Sequence, residues 1–519
     1  MKYISQNRQL TIDLFRSSLD ELDKSNRWVV LGDTLPWAAF EKEYNSKLHN
    51  AAKGAGNIPA RRIIGALIIK HKLCLSDEET IQIIRENPYM QYMCGLTELT
   101  DKPIFDPSLF VTIRKRITIE DINEMTIRLH EEELRRKEEA RKREEERRKK
   151  DEEPPLPPVA EDPDAAEFVD DEGRKHKGVL KIDATCADAE VRYPVDVDIL
   201  HDGCKVLDRY VEKICIKAKI KKLRTNYRDA RHAYLEFVKQ KKKGGKLVRL
   251  TKSLLLTCLS RDLRNLTDLF VANSHYRDYL KEHEKRTLSA IYKMYVQQEE
   301  MFSSGTHRCA DRIISVFQPH LRAIVRGKAK AKVEFGAKIG ASVVNGYTFI
   351  DHHSWDAYNE CEDLPLQINL FKERYGYLPA TILADKIYMN KENRQRLKEL
   401  GIRTYCKPLG RPPKEEKTDE EKARMVKAIG DRNEVECSFG TGKRIYRANN
   451  IRAKLPNTAD CWTGMCYFVK NVMKFLRELC HALNEILQIF DLEVACLLKI
   501  PGSSQYYISR RYINSVNTN

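Results

Sequence analysis

The sequence predicts an α/β protein: an all-α N-terminal domain, then a mixed sheet flanked by helices and split by a helical insertion. Three observations predict it. Apolar residues recur at helical spacing up to about residue 133. Two apolar runs that each end in Asp, residues 179–183 and 378–385, read as strands far apart in the chain. Between them, from about 195 to 327, lies a Lys/Arg-rich helical stretch.

The first domain is justified helix by helix. "IPARRIIGALIIKHKL" is amphipathic and opens with Pro59, a residue suited to a first turn. Ser76 and Glu79 form a capping-box pattern that starts a second helix, "EETIQIIREN", which stops at Pro88. Two helices joined by a short turn fit either a DNA-reading helix-turn-helix or an ordinary helical hairpin. A third helix, "LFVTIRKRI", follows "FDPS".

From Glu131 to Lys150 nearly every residue is charged, with Glu and Arg/Lys at helical spacing and no apolar seam, which predicts one solvated helix. "DEEPPLPPVAEDPDAAEFVDDEG" then breaks it with proline and acid, as an extended linker does. The expected boundaries are therefore 1–133 for the helical domain, 134–176 for the linker, 177–495 for the split α/β domain and 496–519 for a tail.

Inside the α/β domain, "KGVLKIDATCADAE" gives a short strand ending at Asp183. "AKVEFGAKIG" and "ASVVNGYTFIDHH" give two more strand signals, the second with an Asn345-Gly346 hairpin turn. "CEDLPLQINLFKERYG" reads as a helix leading to the strand before Asp385. In the insertion, Tyr227, Tyr234 and Phe237 interleave with cations, which fits a phosphate-backbone groove or a solvated basic helix pair.

Composition bounds the function. The chain has 519 residues, enough for two or three domains, and is 32% charged and 42% hydrophobic. A net charge of +16 and a pI near 9.1 point to a polyanionic partner, most simply nucleic acid. "IIGALII" is among the longest apolar runs, far short of the ~20 residues of a membrane span, and "MKYISQNRQL" has no signal-peptide core. Fourteen cysteines without a C-x-x-C pair predict reduced, mostly buried thiols in a cytosolic protein.

One stretch, "RNEVECSFGTGKRIYRANNIRAKL", tempts a phosphate-loop reading through GTGK. That reading fails, because Cys437 stands where the loop's first Gly belongs and Arg444 stands where a Ser or Thr must follow the Lys. Arg432, Glu436, Phe439 and Lys443 recur at steps of three and four and so share one helical face. This is either a salt-bridged solvent face or a carboxylate aimed at a metal and flanked by phosphate-binding cations. Two strand-end aspartates and a later helical Glu are what two-metal phosphoryl chemistry requires: hard oxygen ligands for a pair of ions roughly 4 Å apart.

"LKIDAT" around Asp183, "ILADKIYMNKENRQRLKELGIR" around Asp385 and the Arg432–Lys443 stretch together resemble bacterial insertion-sequence transposases of the DDE class. "FDPSLFVTIRKRI" and "CYFVKNVMKFLREL" resemble that family's N-terminal module and tail. Arg432, Glu436 and Lys443 fit the family's Tyr, Arg, Glu, Lys signature, with Ile429 in the Tyr position; Ile387 stands where the second-Asp motif has Gly.

The resemblance implies an RNase H-like core and metal-dependent DNA cleavage and strand transfer. It implies Asp183, Asp385 and Glu436 as catalytic metal ligands, and two Mg²⁺ ions replaceable by Mn²⁺. It also implies DNA contacts from Arg432, Lys443 and Arg444, recognition of element ends and target DNA, a homodimer or higher oligomer, and a cytoplasmic, nucleoid-associated place in a bacterium or archaeon. The rival readings are a catalytically silent transposase-derived DNA-binding protein and a nuclease of this fold that never joins strands. Asp188, Glu190 and Glu434 are expected to stand outside the site, Glu434 about 200° around the helix from Glu436. His352 and His353 are expected at a strand end on the surface, with no Cys at zinc-ligand spacing.

Overall fold

The structure, a computed structural model, describes residues 18–48, 56–150, 162–325, 333–406 and 418–497, with backbone alone at 421 and 481–497. The expected tail after 497 and the proline-rich centre of the expected linker, 151–161, lie outside the described residues.

Seven helices come first: α1 (Arg27–Thr34), α2 (Trp37–Ser46), α3 (Ala60–Leu73), α4 (Asp77–Glu86), α5 (Pro88–Met93), α6 (Leu109–Arg116) and α7 (Ile119–Lys150). The Ser76/Glu79 capping box forms, with Glu79 N–H donating to Ser76 Oγ at 3.1 Å and Ser76 N–H to Glu79 Oε2 at 2.9 Å. Pro88 opens α5 behind an Asn87 cap instead of merely ending α4. Every residue of α3 from Ile63 to His71 is buried, so this helix is the centre of the bundle. The exposed face of α4 carries Glu78, Glu79, Gln82, Arg85 and Glu86, an acidic surface unsuited to a DNA groove. The α3–α4 pair is an ordinary helical hairpin.

α7 is one helix of 32 residues. Its first half buries Ile122, Met125 and Leu129. Its second half is the charged stretch, held by i,i+4 pairs such as Arg141–Glu145 at 3.0 Å. Residues 134–150, expected as the start of the linker, therefore continue this helix.

The sheet follows. A two-stranded hairpin, β1 (Phe168–Val169) and β2 (Lys175–His176), leads into β3 (Val179–Asp188). The insertion is α8 (Asp196–Ala218), α9 (Tyr227–Lys239), α10 (Gly245–Ala272) and α11 (Glu282–Ser304). It has its own apolar core, including Leu207, Val211, Leu255, Leu259, Ile291 and Met294. The sheet resumes with β4 (Arg322–Val325), β5 (Val333–Val344) and β6 (Tyr347–Ser354). Then come α12 (Asp363–Tyr375), β7 (Thr381–Leu383), α13 (Lys391–Glu399), β8 (Arg403–Thr404), α14 (Asp419–Arg444) and α15 (Pro456–Leu497).

Across the main sheet the strands run β6–β5–β3–β7–β8, with β4 on the start of β5. The β3–β7 and β7–β8 pairs are parallel and the others antiparallel. This is the mixed α/β sheet of an RNase H-like core. Asn345 (φ +50°) and Gly346 (φ +79°) make the expected turn between β5 and β6. The two separate strand signals before it differ from what forms: "VEFGAKIGASVV" is a single strand, β5, kinked by a register shift at Gly340/Ala341.

One body results. Among the described residues the free edge of β6 meets no further strand; two asparagines bond it instead. Asn123 of α7 bonds both Ile350 N–H (3.2 Å) and C=O (2.7 Å). Asn471 of α15 does the same for Thr348 at 3.0 and 2.8 Å. An edge that could template pairing with another chain is thereby closed by the N-terminal and C-terminal helices. The N-terminal helices, the sheet and α15 share one apolar core, from Ile68 and Phe110 through Val343 and Phe349 to Phe468. Among the described residues no helix is long and apolar enough to cross a membrane.

Candidate active site

β3 and β7 bring the first two acids together. Their parallel register pairs Lys181 with Leu383; carried two residues on, it sets Asp183 beside Asp385. Asp183 lies in the middle of β3 rather than at its end, because Ala184 to Asp188 go on pairing with Gly340 to Gly336 of β5. Asp385 follows β7 directly and caps a 3-10 turn, Lys386–Tyr388, its Oδ1 accepting from Lys386 N–H at 2.7 Å.

The third acid arrives on α14. That helix is continuous from Asp419 to Arg444, so GTGK is helix and no nucleotide loop. Val435 and Phe439 are buried and Ser438 bonds Thr348 of β6 at 2.7 Å, which fixes the helix's rotation on the sheet. Gly442 is where helix and α15 approach most closely: a Cβ there would stand 2.7 Å from the Tyr467 ring. Glu436 then projects sideways to Arg432, whose Nη2 lies 3.0 Å from Glu436 Oε1 and whose Nη1 lies 3.8 Å from Asp385 Oδ1. One guanidinium thus stands between two of the acids, both more than half exposed.

Glu434 points elsewhere, to Lys181 Nζ at 2.5 Å. Asp188 accepts the Cys186 thiol at 3.6 Å, and Glu190 meets Arg452 at 3.6 Å. Lys443 is half-buried and Arg444 exposed at the C-terminal end of α14. Ile429, in the family's Tyr position, is exposed. His352 bonds Asp363 at 2.6 Å. His353 differs from a surface residue: its ring is largely buried 3.5 Å from Asp460, and burial holds it down at about 4.

Burial pushes the Asp183 carboxyl up to about 6, with the charges of Glu360 and Asp385 adding to it and Ala184 N–H and Arg432 opposing. Glu360 was not foreseen from sequence. It sits in the turn after β6, paired with Lys338 at 2.9 Å. Four carboxylates (Asp183, Asp385, Glu436, Glu360) thus share two cationic partners, Arg432 and Lys338. An excess of hard, partly solvated oxygens over cations fits a divalent metal. The three expected acids do not by themselves form a tight set, however. Among the described residues, Cys186, Asp188 and Glu334 are the group whose ligand atoms all lie within 4.8 Å of one another.

A mixed sheet with acids near adjacent strands and on a following helix is the arrangement expected of an RNase H-like core. Two family models match the chain: "Transposase domain (DUF772)" over residues 16–116 and "Transposase DDE domain" over residues 382–473. Over those two stretches the chain is similar to insertion-sequence transposases of the DDE class. It is also similar to "Uncharacterized protein ORF8 in nfe locus" of Rhizobium meliloti, at 32% identity over 114 residues. That match covers 22% of this chain and 54% of the relative, so the chain spans about half the length of the relative it matches. No solved structure matches. The second family match includes Asp385 and Glu436, whereas Asp183 lies outside both.

Proposed function

We propose that this transposase cuts DNA at the ends of its element and joins them to a target, using Asp183, Asp385 and Glu436 to hold two Mg²⁺ ions. The observation that carries the reading is the single Arg432 guanidinium set between Asp385 and Glu436, near a half-buried Asp183 whose charge both Arg432 and Asp385 influence. Bound there, the metal would supply Lewis-acid stabilisation of charge on the phosphate and a more acidic attacking water or hydroxyl. The chain's own groups do the rest. Asp183 is held rigidly within a paired strand, and Asp385 is oriented by the N–H of its own turn. Arg432 neutralises the two exposed acids and, once released from them, offers a planar fork to a phosphate.

Lys443 and Arg444, both about two turns beyond Glu436, extend that cationic track along α14. The insertion's basic loops, Lys219 to Arg224 and Lys239 to Lys246, grip backbone without sequence preference. Residues of the N-terminal helices contribute end recognition, and an oligomer bridges two ends.

The test uses the full chain and a labelled duplex carrying its element end. Nicking should require Mg²⁺, run with Mn²⁺, and vanish in Asp183→Asn while end binding persists. Nicking that survives chelation of Mg²⁺, or that depends on zinc alone, refutes the metal assignment. Nicking without any joined product leaves a nuclease reading in place of a transposase one.

A further inference from the structure

Asp385 is more than half exposed and leaves its strand on a short turn, so something must stop that turn from drifting. The hydrogen bonds around it form one chain. Asp385 Oδ1 is oriented by Lys386 N–H, and Asp385 C=O accepts from Tyr388 N–H at 3.0 Å. Tyr388 C=O in turn accepts from Asn393 Nδ2 at 2.7 Å. The same Nδ2 also donates to Cys361 C=O at 2.8 Å, inside the turn Glu360–Glu362. Asn393 is 4% exposed, and its own N–H is held by the Asn390 cap at 2.7 Å.

We propose that Asn393 is the positioning residue for Asp385, spending both hydrogens of its side-chain amide to tie the Asp385 turn to the turn that carries Glu360. The proposal rests on the reading of Asp385 as a metal ligand. Its chemistry is specific. A primary amide nitrogen carries two coplanar N–H donors, so one atom can serve carbonyls from two separate segments. Serine offers one donor, alanine none, and aspartate would set a carboxylate against two carbonyl oxygens. Both tied turns carry an acid near Asp183: Asp385 lies two residues beyond the Lys181–Leu383 pair, and Glu360 and Asp385 both act on the Asp183 charge. Loosening the tie lets Asp385 slide relative to Asp183, and outer residues that fix a ligand's orientation are worth ~10–100-fold in metal affinity or activity.

The experiment measures Mn²⁺ binding to the full chain without DNA, by calorimetric titration, in wild type, Asn393→Ala, Asn393→Asp and Asp385→Asn. Thermal unfolding and metal-free binding of end DNA are followed on the same samples. The expected result is Mn²⁺ affinity lowered ~10–100-fold in both Asn393 variants, most in Asn393→Asp, with metal-free DNA binding unchanged. If Asn393→Ala is too unstable to purify, Asn393→Ser, which keeps one donor, takes its place and should fall between alanine and wild type. Asn393 variants that bind Mn²⁺ like wild type, beside an Asp385→Asn protein that has lost it, overturn the positioning role of Asn393 and leave the site reading standing. An Asp385→Asn protein that binds like wild type overturns both.

Discussion

Two glutamates two residues apart on α14 should fail in opposite ways. Glu436 makes an ion pair with Arg432 in which the acid is 54% exposed, and pairs of that kind contribute about 0–1 kcal/mol. Glu436→Gln keeps size and hydrogen bonding, so unfolding free energy should move by less than about 0.5 kcal/mol. Cleavage should fall by at least ~10²-fold, the scale on which losing one preorganised charge-stabilising group is felt. End binding should hold or rise slightly, since a negative charge near phosphate is gone.

Glu434→Gln works on the other axis. Lys181, its partner at 2.5 Å, is only 18% exposed. Lys470, which burial holds down at about 8, counts Glu434 as the acid that supports its charge. Removing that acid strips two partly buried ammonium groups of a counter-charge. The cost should be about 1–2 kcal/mol, discounted because Glu434 itself is 38% exposed. Cleavage per folded molecule should be unchanged. Single-turnover nicking of a labelled end in Mg²⁺ and urea unfolding, run on both variants, separate the two effects. A Glu434→Gln protein that is stable yet dead, beside an active Glu436→Gln protein, would show the helix rotated and the acid misassigned.

Three further outcomes follow from particular contacts. Asp262 is fully buried in the insertion and burial raises its carboxyl to about 7, so it is protonated in the folded chain where the unfolded chain is ionised. Its stabilising share is therefore complete below about pH 4 and lost as pH rises to about 7, up to ~4 kcal/mol in all; Asp262→Asn should gain over wild type at pH 8 and not at pH 4, and equal gains at both would refute this. A Cβ at Gly440 meets nothing within 4 Å whereas one at Gly442 meets Tyr467 at 2.7 Å, so thermal unfolding should show Gly440→Ala stabilised by ~0.5–1 kcal/mol and Gly442→Ala destabilised by ~1–3. Replacing the exposed Lys241, Lys242 and Lys246 by Ala should weaken end and random DNA alike and cut the salt slope by about one to three units, read by binding titrations across salt concentrations.

What could be read from the sequence was whatever depends on neighbours in the chain. The Ser76/Glu79 box, the Asn345-Gly346 turn and the charge ladder of α7 are set by residues three or four apart, and each formed. What depended on distant partners could not be read. The local pattern ended a strand at Asp183, but Ala184 to Asp188 stay extended because β5, more than a hundred residues later, pairs with them. Helix-turn-helix and hairpin could not be told apart until α3 proved buried from Ile63 to His71 and α4 acidic outside. In the site, the order of Asp183, Asp385 and Glu436 together with the family resemblance pointed to the acids on which the proposed function rests. Glu360 and Asn393 carry no such signal, since what joins them is a contact between two turns distant in the chain.

That same dependence on distant partners decides how end recognition can be studied. A cut at residue 133 falls inside α7, one residue before the solvated half of the helix begins. It would divide Glu133 from nothing in the chain before it, yet would part it from Lys474, at 2.9 Å, and from the buried hydroxyl of Tyr347. It would also strip Asn123 from Ile350 and so reopen the β6 edge in the remaining fragment, while exposing Ile68, Phe110 and Leu129 in the other. Neither piece would keep the surface it presents in the whole chain. DNA contacts of the N-terminal helices are therefore best sought in the intact protein, on the exposed face of α6 where Thr112 and Lys115 stand, rather than on the acidic outer face of α4. Loss of end preference there without loss of random binding would place recognition on α6; equal loss of both would make this face one more grip on backbone.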